Sequence, residues 1–412
     1  MMKVLHLSKL LDTGGAAIAA FNIHLSLQSV GIKSDFAIDE VRLTDTSNAA
    51  KVVTPGVIYI NKYISFVRRK LSNFPLIFST LKNQRSCNIL PTPWPRIINN
   101  SDCDVVVIHW IGGGGISIFD LLKINKKIIW ILHDMWIFCG SEHLGKRDRY
   151  VNGYTKLNKP IDNVLLDVDR LIWLIKKHAI GKIKDITFVA PSDWMKGQAE
   201  HSKILFNRSI RTINIPIDID YWCQNFNSSL LRRSMVPKFS DKVIITFGCS
   251  SASSDKGMLL FIEAIELLPQ SVKNMICLVF FGVTSELPSD RISIPFINYA
   301  FVASKSKMRD IFRISDICVY PSKIESFGQL AAESIACGTP VVAYRYSGVS
   351  DFITNNLNGF LFQEYTAPCL MESIQNAFLY NQDGKFVNLA GSISKLNLTD
   401  IGIKYKNLIC EL

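Results

Sequence analysis

Residues 321–344 read PSKIESFGQLAAESIACGTPVVAY and are preceded by the apolar run that makes ICVYPS (317–322) a strand. That strand runs into a loop, and a helix begins near Ser326–Gly328. Cys337-Gly338 stops the helix, and PVVAY (340–344) forms a second strand. Short, almost wholly apolar runs on either side of a helix mark parallel strands covered on both faces. Glu325 stands just ahead of the helix and Glu333 eight positions later. The amides of Phe327, Gly328 and Gln329 fall at the helix N-terminus, where N–H groups lack intrahelical acceptors and suit an anion such as phosphate. Glu325 beside them can meet sugar hydroxyls, and Glu333 can accept from the two hydroxyls of a ribose. Spacing alone fits equally well a carboxylate stabilised by the helix dipole and one solvated mid-helix Glu.

The same alternation extends outward in both directions. KVIITFG (242–248) and MICLVFFG (275–282) are strands, with helices near 257–268, 305–314 and 366–380. Towards the N-terminus, VLHLS (4–8), DVVVIHW (104–110), KIIWIL (127–132) and ITFVAPS (186–192) are strands, with helices over 14–31 and from Asp193 to about Phe206. The expected architecture is α/β: two doubly wound, Rossmann-like domains facing each other across a cleft, with ligands at the strand-to-helix turns. INIPIDIDYW (213–222) supplies the boundary. It gives an acceptor-side domain at 1–214, a donor-binding domain at 215–395, and a terminal helix within 396–412 that can pack back on the first domain.

Charge divides the chain at the same place. Of 46 Lys+Arg and 35 Asp+Glu, residues 1–214 hold 29 and 17, a balance of +12, and the remainder hold 17 and 18, a balance of −1. Residues 51–100 contain eight basic residues (Lys51, Lys62, Arg68, Arg69, Lys70, Lys82, Arg85, Arg96) and no acid. Within them, IYINKYISFVRRKLSNF (58–74) has the pattern of a basic amphipathic helix suited to an anionic lipid surface, or of an ordinary solvated helix. A nucleic-acid partner would need basic residues interleaved with stacking aromatics on a recognisable module, and none is present. The ten cysteines form no CxxC and no framework; several sit in apolar runs, which indicates a reducing compartment. No run reaches the roughly 18 apolar residues of a membrane span. The expectation is a cytoplasmic protein, peripheral on the inner face of a membrane.

Three further motifs carry chemistry. TFGCSSASSDKG (246–257) is a strand, a Ser-rich loop and Lys256-Gly257 at a helix start, where the Lys can neutralise a diphosphate. DTGGAAIAA (12–20) follows the first strand, and Gly14 and Gly15 let backbone approach a ligand closely, or simply make a tight turn. It is not a G-x-G-x-x-G dinucleotide fingerprint. LHDMW (132–136) puts His133 at the C-terminal end of a parallel strand, where imidazole can accept or donate a proton. Asp134 and Trp136 read as structural or acceptor-facing, and His109, Glu142 and His143 as further candidates. Asp218 and Asp220 have the spacing of a metal clamp but sit in the linker, so no metal site is expected.

The phrase PS-x-x-E-S-F-G-Q-L-A-A-E-S-I-A-C-G-T-P-V-V-A resembles the E-x7-E region of glycosyltransferase family 4, the retaining nucleotide-sugar transferases of GT-B fold. The resemblance implies that Glu325 contacts the donor sugar and Glu333 the nucleoside ribose. TFGCSSASSDKG is similar to that family's G-R-x4-K-G diphosphate site, with Lys256 matching the Lys and Ser251 in place of the Arg. The N-terminal glycine loop, by the same resemblance, lies against the donor phosphates and the acceptor. HDMW resembles the branch that builds bacterial surface polysaccharides such as O-antigen, capsule and colanic acid, and makes His133 a reaction-centre contact. The branch's frequent Cys-rich segment after this phrase is absent.

The implied activity is metal-independent, retaining transfer of a hexose from a UDP- or GDP-sugar to a lipid-linked oligosaccharide, with no cofactor beyond the donor substrate. The alternative is a non-catalytic GT-B relative that binds sugar or nucleotide or serves in an assembly, for which the missing Arg is the only support.

Overall fold

A computed structural model describes residues 2–11, 14–38, 58–59, 62–80, 84–224, 227–249, 254–283 and 287–412. Asp12, Lys51, Lys82 and Ser251 therefore lie outside the described residues, as do the other serines of the loop before Ser254. The chain divides into two units, Met1–Pro216 with Leu398–Leu412, and Ile217–Asn397.

The first unit is built on a seven-stranded sheet in the order β3-β2-β1-β4-β5-β6-β7. Its strands are β1 (Lys3–Ser8), β2 (Lys33–Ile38), β3 (Ile58–Tyr59), β4 (Val105–Ile108), β5 (Lys127–Ile131), β6 (Ile186–Ala190) and β7 (Ile210–Thr212). Every pairing is parallel. The second unit has a six-stranded sheet in the order β10-β9-β8-β11-β12-β13. It comprises β8 (Val243–Gly248), β9 (Ile276–Phe281), β10 (Phe296–Asn298), β11 (Ile317–Tyr320), β12 (Val341–Tyr344) and β13 (Gly359–Phe362), again all parallel. The strand sequences explain the arrangement: VVVI of β4 and ICLVFF of β9 are buried at every position, as strands with both faces covered require. In each sheet the order reverses between the first two strands to be central, β1/β4 and β8/β11, which makes those the topological switch points.

The helix Leu398–Glu411 belongs to the first unit and packs on the helix Gly15–Ser29. A Cβ on Gly402 would lie 2.1 Å from the carbonyl oxygen of Ser26, so the two backbones touch where only glycine permits it.

The segment 58–74 departs from the expected single helix. Ile58–Tyr59 form β3, the helix is Lys62–Ser72, and Phe74–Phe78 make a 3₁₀ turn. Pro75 accounts for the break, since it has no N–H to donate and disfavours helix in the residue before it. The basic face is also smaller than expected. Arg68 is buried and its Nε donates to Gly114 O at 3.0 Å. Arg85 is internal too, with Nη2 3.2 Å from Asp169. Lys70 and Arg96 are exposed, and Arg69 is half-buried. Among the described residues no helix is long and apolar enough to cross a membrane.

Candidate active site

The two switch points concentrate the candidate residues. In the second unit, β8 leads to Lys256 and β11 to Glu325, residues that the sequence separates by 69 positions. Lys256 Nζ donates to Glu325 Oε2 at 2.9 Å, and Tyr320 Oη donates to the same oxygen at 2.7 Å. Burial opposes the charge on Lys256, but the Glu325 carboxylate more than compensates and holds the ammonium well above its usual range. Burial raises the Tyr320 phenol as well, with Glu325 adding to the effect, so Tyr320 stays a donor. The loops are tied at the backbone: Lys323 N donates to Asp255 O at 2.9 Å. Gly257 has φ +76, and a Cβ there would stand 2.6 Å from Pro321 O and 2.9 Å from Tyr365 Oη. A larger residue would push the Lys256 loop off the Glu325 loop.

The helix Gln329–Ala336 starts from Gly328, which has φ +94 and whose Cβ would meet Val349 Cγ1 at 2.3 Å. Both the left-handed backbone and the close approach require glycine at this position. Phe327 is buried, its ring centroid 5.1 Å from that of Phe352, and it anchors the loop so that Glu325 O accepts from Gly348 N at 2.8 Å. Ala332 N donates back to Gly328 O at 3.1 Å, so the first-turn amides beginning at Gln329 have no helical acceptor. Glu333 lies one turn inside and is buried, not solvated. Burial pushes its carboxyl up to about 7, against the pull of Lys305 and of Gln329, whose Nε2 donates to Oε1 at 3.3 Å.

In the first unit, Gly14 caps the helix Gly15–Ser29 at φ 90, and among the described residues no atom lies within 4 Å of where a Cβ would stand on Gly14 or Gly15. The backbone conformation, not crowding, calls for glycine there. His133 follows β5 and is half-buried; its Nε2 is 3.0 Å from His109 Nδ1. His109 Nε2 is in turn 2.9 Å from His6 Nδ1. Burial pushes the His133 imidazole down to about 4, with Asp134 acting weakly in the opposite sense, so the ring is neutral at physiological pH. The HDMW motif points to His133 and the IHW run to His109, whereas His6 lies within strand β1 and outside any motif. The signal was there, since a lone imidazole in the otherwise apolar run VLHL needs a buried partner.

The rest of the HDMW phrase is scaffolding. Asp134 Oδ1 accepts from Trp136 N at 2.9 Å, and Oδ2 lies 2.5 Å from His143 Nδ1. His143 Nε2 is 2.8 Å from Ser86 Oγ, which accepts from Gly113 N at 2.7 Å. This row has the order of a Ser-His-Asp triad, but Ser86 is 1% exposed, so it binds the glycine-rich turn at 112–115 to the segment after β5. Beneath it, Lys176 Nζ donates to Trp136 O and to Gly140 O. Tyr154 Oη donates to Glu142, whose carboxyl is pushed to about 7 by burial and by Asp169. Glu142 is thus internal and removed from the candidate ligand contacts. Asp218 caps the short helix Ile219–Trp222 through Tyr221 N, a structural use of the linker carboxylate.

Residues 235–383 match the family described as glycosyl transferases group 1. Over 145 residues the chain is 30% identical to a D-inositol 3-phosphate glycosyltransferase of Xylanimonas cellulosilytica, a stretch that covers 33% of each chain. The chain thus spans about a third of that curated relative's length. Similar folds run the whole length: Anabaena HepE, solved with UDP and glucose, superposes with TM-score 0.68 at 13% identity and full coverage of both chains. WaaG, a glycosyltransferase involved in lipopolysaccharide biosynthesis, superposes with TM-score 0.63 at 13% identity over 98% of this chain and 99% of its own. The likeness to the glycosyl transferases group 1 family thus lies in residues 235–383, and the fold of the chain is GT-B.

Proposed function

We propose that this protein is a retaining glycosyltransferase of the family 4 type, which moves a hexose from a UDP- or GDP-sugar to a lipid-linked oligosaccharide in bacterial surface polysaccharide biosynthesis. The observation that carries this reading is the Lys256–Glu325 contact at the β8/β11 switch point, inside the group 1 glycosyltransferase region. An ammonium has three N–H donors, and Glu325 takes one; the others suit the oxygens of a diphosphate. As the diphosphate leaves, negative charge grows on it, and Lys256 with the first-turn amides after Gly328 stabilises that charge without reorganising. Glu325 orients the sugar, and Glu333, buried near the helix start, accepts from the ribose hydroxyls. The acceptor hydroxyl attacks the face the diphosphate leaves, with the departing phosphate oxygen taking its proton. Gly14 and Gly15 are assigned to the donor contacts, and His133 to the contacts of the transferred sugar or the acceptor. The reaction uses no metal and no cofactor besides the donor. Anabaena HepE, solved with UDP and with glucose, supports a nucleotide-sugar ligand.

An apolar shelf on the first unit supports a cytoplasmic protein peripheral to an anionic membrane. Along the helix Lys62–Ser72 and the turn after it, Tyr63, Leu71, Phe74 and Ile77 are 81%, 58%, 57% and 61% exposed. Leu157 and Ile161 are almost fully exposed on a second segment, which is tied to the first by Leu166 N donating to Phe78 O at 3.0 Å. Soluble surfaces rarely leave so many large apolar side chains together, and Arg69 and Lys70 at the edge add attraction to anionic headgroups.

The test is incubation with labelled UDP- and GDP-sugars and a membrane lipid extract. Label should pass to lipid with one donor, and Lys256→Ala and Glu325→Ala should abolish it. Undiminished transfer by both variants would refute the site, and binding of a donor without any transfer would favour the non-catalytic alternative.

A further inference from the structure

Three imidazoles on neighbouring strands form an unbroken row. His6 lies in β1, His109 directly after β4 and His133 two residues past the end of β5, and these strands are adjacent in the sheet. The rings are nearly parallel, with centroids 5.2 Å apart at 24° for His6–His109 and 5.3 Å at 29° for His109–His133. His6 and His109 are 0% and 1% exposed, and Phe36 stacks on His6 with centroids 5.0 Å apart.

A neutral imidazole has one N–H and one lone pair. In a row of two such hydrogen bonds all protons must therefore point the same way, inward from His133 or outward from His6. The inner end decides between them. Among the described residues His6 Nε2 is buried and has no hydrogen-bond partner, and His24, edge-on to it at 5.7 Å, offers none, its own Nε2 being likewise unpartnered there. Inward polarity would place an N–H on His6 Nε2 with no acceptor; outward polarity leaves only a lone pair unused. Buried orphan N–H groups are the rarer of the two.

We infer that His6 and His109 are positioning residues that lock His133 in its Nδ1–H tautomer, so that it offers a hydrogen-bond donor to an oxygen of the bound ligand. His133 then acts as a fixed dipole and not as a base: an added proton would have no exit at His6. This inference rests on the proposal that His133 contacts substrate, and it identifies the matching atom as an acceptor oxygen of a sugar or phosphate.

The experiment is ¹⁵N–¹H correlation through the two-bond couplings of histidine-labelled protein, without ligand. Nδ1 should carry the proton on His133, His109 and His6. His109→Asn, which keeps an N–H at the Nδ1 position, should preserve the His133 tautomer and hold kcat/KM within about threefold. His109→Leu should release His133 to the other tautomer and lower kcat/KM about tenfold, the order of one lost hydrogen bond. A wild-type His133 protonated at Nε2 would overturn the lock. A locked His133 whose replacement by Ala leaves transfer unchanged would leave the lock standing and overturn the role proposed for His133.

Discussion

The two units share one sheet order about their switch points, yet furnish those points with opposite chemistry. At β1/β4 stands a row of neutral imidazoles, and at β8/β11 an ammonium paired with a carboxylate. Burial explains the first: a charge on His109 would have to be desolvated beside two other rings, so the row stays neutral and directional. Pairing explains the second: Glu325 more than offsets the desolvation of Lys256 and keeps a cation where a diphosphate would need one. The same topology thus supplies a polarised but uncharged surface in one unit and a charged one in the other. Strand order fixes where a site lies, and side chains fix what it does.

The largest effect that would test this contrast is at the cation. Lys256→Met should lower kcat about 100–1000-fold, the usual cost of losing a preorganised group that meets developing charge. Combined with Glu325→Gln, the loss should be far less than the product of the two single losses, because the residues touch. Additive losses would break the pair into independent contacts.

A second comparison sets the two cap glycines against each other by thermal unfolding. Gly328→Ala meets both a left-handed backbone and Val349, and should cost about 2–3 kcal/mol. Gly14→Ala meets only the backbone term among the described residues, and should cost about 1–2 kcal/mol. Equal losses would mean that the loop before the helix Gln329–Ala336 yields readily to Val349.

The apolar shelf belongs to the first unit alone. Phe74→Ser with Ile77→Ser should weaken binding to anionic vesicles by about tenfold or more, since each buried large apolar side chain contributes about 1.5–3 kcal/mol. Lys70→Glu should act more weakly, and only at low salt. Equal association of the wild type with neutral and anionic vesicles would remove the electrostatic part.

The smallest effect concerns Glu333. Its folded carboxyl titrates near 7 against an ordinary 4.5, so the native state binds the extra proton and stability falls as pH rises between those values. Glu333→Gln should flatten that slope in unfolding measurements. Donor affinity should run the other way in the wild type, weakening by a few-fold as pH falls below about 7 and the acceptor oxygens become protonated. A donor KM independent of pH from 6 to 8 would remove Glu333 from the ribose contact.

Much of the fold was legible because β4, β9, β11 and β12 are almost continuously apolar, a pattern few other arrangements can bury. Strand β2 was not, since KSDFAI opens on charged and polar residues, and β3 pairs only with its Ala37–Ile38 end. The helix Val168–Lys182 was hidden by its buried Lys176 and Asp169, the first held by Trp136 O and Gly140 O and the second by Arg85. At the site, Glu325, Glu333 and Lys256 were readable from local phrases. Tyr320 and His6 sit in apolar strands outside these phrases; a lone polar group there signals a buried partner, but only the fold names it, Glu325 for the first and His109 for the second.

The sequence by itself determined the alternation of strands and helices, the glycine at 328, and the concentration of positive charge before residue 215. These are local or additive properties, set by side-chain period, backbone stereochemistry and simple counting. Only the tertiary structure decided which charges face outward, turning Arg68 and Arg85 inward while leaving Lys70 at the surface. It alone joined Lys256 to Glu325 and lined up His6, His109 and His133. Parallel crossovers place residues from distant strands side by side at the carboxyl end of a sheet, and a hydrogen bond acts over about 3 Å whatever the separation along the chain.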